Sequence, residues 1–164
     1  MVFRNLSLVG LIGVAMAVSA AAGVEGALGG GQLENASGEK GMVNVAVQKR
    51  TDNAGNVRVG GHFHFGRRTG NRSGVEVGMR RAAEVAVTGN SCTFSGPAVY
   101  VTITDGTRSR VEGTVSATVE DKRRPRATGD PDTCSFTFTS TDGATTYSFS
   151  GNLTRGDIKV GTRP

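Results

Sequence analysis

Val57-Arg58-Val59-Gly60-Gly61-His62-Phe63-His64-Phe65 is the stretch that decides the fold. Val57, Val59, Phe63 and Phe65 alternate with Arg58, Gly60, His62 and His64, the period of an extended strand with one buried and one wet face. Upstream, Asp52-Asn53-Ala54-Gly55-Asn56 is a turn, rich in residues that tolerate positive φ or bond their own backbone. Before that turn, Met42 to Lys49 shows the same alternation, with Val43, Val45 and Val47 on one face. Downstream, the basic loop Gly66 to Ser73 leads into Val75, Val77 and Met79, with Glu76 and Arg80 on the opposite side.

The pattern continues to the C-terminus. Strands are expected over 83–88, 92–95, 98–104 and 110–119, then a hairpin of 133–140 and 145–150 about Asp142-Gly143, a strong turn pair. Residues 156–160 close the chain as a short last strand, and the glycine-rich 29–38 reads as a lead-in segment. Asp121 to Asp132 carries two prolines and seven charges and reads as a solvated loop. No sustained helical period and no internal repeat occurs after the N-terminal apolar run. Glycine is abundant, tryptophan absent and aromatics only 5%, so a core built mainly from valine is expected. The fold class is all-β: a single antiparallel β-sandwich or β-barrel of about ten short strands over 23–164.

Residues 1–22 read as a cleavable signal peptide. Arg4 supplies the positive start, Leu6 to Val18 carries no charge, and small residues from Ser19 to Gly23 form the exit. The apolar run is shorter than the roughly 20 residues a membrane-crossing helix needs. Removing Arg4 from 19 basic residues leaves 18 against 14 acids, a net charge of +4 for the remainder. Export also colours the reading of the only two cysteines, Cys92 and Cys134, since an even pair in an oxidising compartment is most simply a disulfide. Each lies two residues before a phenylalanine, so both sulfurs face the core. A bridge there would constrain the unfolded chain by about 4 kcal/mol on the loop-entropy model.

His62 and His64 project from one strand face. A register pairing Phe65 with Val75 and Phe63 with Val77 would set Glu76 opposite His64, giving two imidazoles and a carboxylate, a ligand set that zinc or copper accepts. An ordinary cross-strand histidine–glutamate contact accounts for the same pattern. Arg67, Arg68 and Arg72 in one loop and Arg123, Arg124 and Arg126 in another are candidates for binding phosphate, sulfated polysaccharide or anionic lipid heads, because the guanidinium fork suits such groups. No aromatics are interleaved with them, which argues against specific nucleic-acid recognition. Asp121, Asp130 and Asp132 do not follow the spacing of an EF-hand calcium loop; neutralising Arg124 and Arg126 explains them more simply. No nucleophile–base–orienter set or selected pair of carboxylates marks a hydrolase.

Scattered residues carry a family likeness: Thr93-Phe94-Ser95-Gly96, Val119-Glu120-Asp121, Pro125, Gly129-Asp130, Tyr147, Ser150-Gly151-Asn152-Leu153 and Gly156 to Val160, with Gly29-Gly30-Gly31 and His62-Phe63-His64-Phe65. Together they resemble the post-choice-of-anchor (post-COAP) domain of exported bacterial proteins. That resemblance implies a β-rich extracellular module with no established activity or catalytic residues. Gln32 stands where the family has an aromatic, and the loop after Asp121 is basic where the family's is short and acidic or neutral.

The expectation is therefore a secreted or periplasmic, non-enzymatic module with a structural or binding role. Its partner would be an anionic polysaccharide or another cell-surface component, with no cofactor and no membrane span once the signal is removed. Two other readings are a barrel holding a small apolar ligand and a metal-dependent activity at the His-x-His strand.

Overall fold

A computed structural model describes residues 22–122 and 129–163. The signal-peptide reading and Arg123, Arg124 and Arg126 lie outside these residues. Among the described residues, nine antiparallel strands make one sheet: β1 (Gly23–Glu34), β2 (Lys40–Thr51), β3 (Val57–Arg68), β4 (Gly74–Met79), β5 (Glu84–Thr88), β6 (Ser91–Thr104), β7 (Thr107–Glu120), β8 (Thr133–Ser140) and β9 (Thr146–Arg163). The order is β4-β3-β2-β1-β9-β8-β7-β6-β5, and a further β4–β6 pairing closes eight of them into a barrel. β5 is the ninth strand. It bonds to the Ser91–Ser95 end of β6 yet also meets β1 and β2 on the far side of the ring.

The alternation read from the sequence now has a direction. Val43, Val45, Val47, Phe63, Phe65 and Val77 point into the barrel and are buried. All six phenylalanines among the described residues lie inside with Tyr100 and Tyr147, in a continuous set of ring contacts. Phe65 touches Phe136 and Phe149, each at a centroid distance of 4.8 Å, and Tyr100 stacks on Tyr147 at 5.2 Å. The core is thus more aromatic than its 5% composition suggests, because the aromatics concentrate on the inward face. Each buried phenylalanine contributes about 1.5–3 kcal/mol.

The aligned row that starts at Ser91 passes through Glu120, Thr133, Asn152, Glu34 and Lys40. Carried on in the β2–β3, β3–β4 and β4–β6 registers, it returns to β6 at Ile103, near the opposite end. So large a stagger tilts the strands steeply and widens the bore. Aromatic rings, together with Val85 and Val87 of β5, occupy that width.

Three expectations change. The glycine-rich lead-in is part of a twelve-residue strand, β1, paired on both sides. The two segments expected between 92 and 104 are one strand, as are those at 145–150 and 156–160, the latter bulged between Gln32 and Leu33 of its partner. The disulfide is absent: Cys92 and Cys134 are both free and buried. Both face the core as expected, but each is aligned with Val119 from opposite sides. Two strand spacings, about 9.6 Å, separate them, beyond the roughly 7 Å that a bridge spans. Burial pushes their thiols up to about 11 for Cys92 and about 12 for Cys134.

Asp132 is the buried acid of the loop. Its carboxylate accepts backbone N–H bonds from Lys122 and Ile158, both at 2.9 Å, while its carbonyl accepts from Leu153 at 2.7 Å. The loop aspartate therefore ties β9 to the chain leaving β7, a backbone-clamping role; the expected neutralisation of Arg124 and Arg126 falls on arginines outside the described residues.

A candidate anion-binding groove on the outer wall

Outward residues of β2, β3, β4, β6 and β7 fall into aligned rows. One runs Asn44, His64, Gly78, Val99, Glu112; the next runs Met42, Gly66, Glu76, Val101, Arg110. A third takes Arg68, Gly74, Ile103 and Arg108. Glycines in the β3 and β4 rows leave the middle of this face low, with Val99, Val101 and Ile103 as an aliphatic floor. Two adjoining depressions of about 610 and 980 Å³ result, sharing His64 and Glu76.

The walls are cationic. Lys40, Arg67, Arg68, Arg72, Arg80, Arg108 and Arg110 line the two depressions, against the carboxylates Glu76 and Glu112. Arg108 bonds Glu76 at 2.7 Å and Arg110 bonds Glu112 at 3.1 Å, both in exposed pairs. Such pairs hold little energy and exchange readily for another anion. Arg68, Arg72 and Arg80 make no ion pair among the described residues. Arg72 is placed by its loop: Gly106 N–H donates to the Arg72 carbonyl at 2.9 Å, and Asp105 N–H donates to Ser73 Oγ at 3.2 Å. Those bonds fasten the β3–β4 loop to the β6–β7 turn, where Asp105 has φ 51°.

The loop arginines therefore separate into two roles. Arg68 and Arg72 line the groove with no ion pair among the described residues. Arg67 lines the groove too, but it shares the parity of Phe63 and Phe65 and is committed to Glu39. The other arginines of the groove, Arg80, Arg108 and Arg110, were not singled out from the sequence. What brings Arg108 and Arg110 to this wall is the β4–β6 closure, and no local pattern announces a pairing across that distance.

The metal triad is not assembled. β3 and β4 pair two residues away from the expected register, so Phe65 faces Val77, His64 faces Gly78 and Glu76 faces Gly66. A two-residue shift preserves which side each residue faces, so the alternation alone could not detect it. Glu76 is engaged by Arg108, and His62 Nε2 lies 3.1 Å from Asn44 Oδ1. Among the described residues no group of three His, Cys, Asp or Glu side chains could hold a metal ion. No family model, curated protein or solved structure matches the chain.

Proposed function

We propose that this protein is an exported, non-enzymatic β-barrel module that binds anionic polymers through its outer wall. The observation carrying this reading is the groove: seven cations against two carboxylates, with three arginines making no ion pair among the described residues, over a floor without charge. Planar guanidinium forks accept sulfate, phosphate and carboxylate groups in two-point contacts. The rings that fill the bore weigh against a small apolar ligand inside. The inward face is apolar and the outward face polar and charged, the reverse of a barrel embedded in lipid. Export and kinship with the post-COAP domain belong to the same proposal, resting on the N-terminal run and on the scattered residues that carry the likeness.

Retention on an immobilised sulfated polysaccharide tests the proposal. The protein is expected to bind at low ionic strength and to elute as salt rises, since attraction between exposed charges is screened over about 10 Å at 0.1 M. Arg68→Ala with Arg72→Ala should lower affinity about tenfold, two charge-assisted contacts being lost. Replacing Arg123, Arg124 and Arg126 by alanine measures the share of the second basic loop. Absence of salt-dependent retention would overturn the proposal.

A further inference from the structure

The barrel wall formed by β8, residues 114–118 of β7, 146–150 of β9 and 91–95 of β6 has a different chemistry. Its outward positions are almost all hydroxyls. One aligned row reads Thr93, Thr118, Ser135, Ser150. The next reads Ser95, Ser116, Thr137, Ser148, and a third continues through Thr114, Thr139 and Thr146. Every one of these side chains is exposed or half-buried. None is ionisable, in a chain where charged residues make up 20%. The hydroxyls form a grid with spacings of about 4.8 Å across strands and about 6.8 Å along them.

Within the grid a single side-chain bond joins two members, Thr137 Oγ1 and Ser148 Oγ at 2.9 Å; on the rim, Ser95 donates to Glu84 at 3.1 Å. The remaining hydroxyls keep their donor and acceptor capacity for an outside partner. A shallow trough of about 400 Å³ runs through the middle, between Ser116, Thr137 and Ser148. We infer that this face is a second binding surface, for a neutral polysaccharide chain.

The chemistry selects that partner. A serine or threonine hydroxyl both donates and accepts, as do the hydroxyls of a sugar, so a repeating row of one can bond a repeating row of the other without a fixed polarity. A polyanion gains nothing here, because no cation lies in the grid. A protein partner would want an aromatic or aliphatic anchor, and the grid offers none. The curvature of a steeply tilted barrel suits a flexible chain in the trough better than a flat crystalline surface. β8 and β9 take no part in the basic groove, so both faces can be occupied together.

Affinity electrophoresis of the protein in gels containing soluble neutral glucans, mannans or xylans tests this inference. Retardation by at least one of them is expected, and salt at about 0.5 M should leave it unchanged, since no ion pair is involved. Ser116→Ala, Thr137→Ala and Ser148→Ala together should raise the dissociation constant about tenfold, the loss of three modest hydrogen bonds. These positions are outward, and an unchanged circular dichroism spectrum and melting temperature would verify folding. Thr137→Lys, a single change, provides a second variant that blocks the trough. The inference is overturned if no neutral polysaccharide retards the protein, if both variants are retarded like the parent, or if salt abolishes the effect. Loss of polyanion binding in the groove variants leaves this result untouched, so the two sites fail or stand separately.

Discussion

Tyr147 carries the one buried side-chain polar atom, among the described residues, that has no hydrogen-bond partner. Burial pushes its phenol up, and the nearby Arg67 guanidinium acts in the opposite direction. Arg67 is itself committed to Glu39. A hydroxyl taken out of water without a partner costs about 1–3 kcal/mol. Tyr147→Phe deletes that hydroxyl and keeps the ring stacked on Tyr100. The expected outcome is a protein more stable by about 1 kcal/mol in urea unfolding, with the slope unchanged; lower stability would mean the hydroxyl is satisfied after all. Single residues of this kind were partly legible. That Phe63, Phe65, Cys92 and Cys134 face inward followed from alternation alone, whereas which inward residues touch depends on how the barrel closes, and nothing local encodes that.

Between strands, legibility depended on side chains. β2, β3, β4 and β8 announce themselves because their inward and outward residues differ sharply in polarity. β1 does not. Its Gly29, Gly30 and Gly31 supply no alternation, and glycine by itself signals a turn as readily as a strand. The reason for glycine lies in the neighbours: a Cβ on Gly31 would run into the Arg155 carbonyl oxygen of β9, and one on Gly30 into that of Val43 in β2. Register carries the same lesson for the cysteines. Facing the core is necessary for a bridge, but adjacency is decided by strand order, and β7 lies between them. Val119 is aligned with both, and directly opposed residues of adjacent strands have Cα atoms about 4.5–5.5 Å apart, within bridging range. Refolded in air, the parent protein should keep two thiols that react with a thiol reagent only after unfolding. Val119→Cys should instead form one bridge, to Cys92 or Cys134, and show the mass loss of two hydrogens. A bridge in the parent would contradict the strand order.

At the scale of the whole barrel, the all-β class and single antiparallel architecture were readable, but closure was not. Sandwich and barrel place the same residues inward, and the β4–β6 pairing that distinguishes them joins strands separated by β5 in the chain. Closure with a large stagger makes a wide bore, and its contents determine whether the barrel is a container. Phe65 sits at the centre of those contents, against Phe136, Tyr147 and Phe149. Phe65→Ala should cost about 3–5 kcal/mol, the usual range for removing a buried phenyl ring. The space left would be lined by apolar rings, and a dry cavity of that kind binds small aromatic molecules. Toluene should therefore raise the melting temperature of Phe65→Ala and leave the parent's unchanged. Where the alanine variant folds too poorly to measure, Phe65→Leu opens a smaller space and should show the same difference at reduced size. A parent stabilised by toluene as strongly as the variant would mean that the rings leave room in the bore, and the barrel would then have an interior to use as well as a wall.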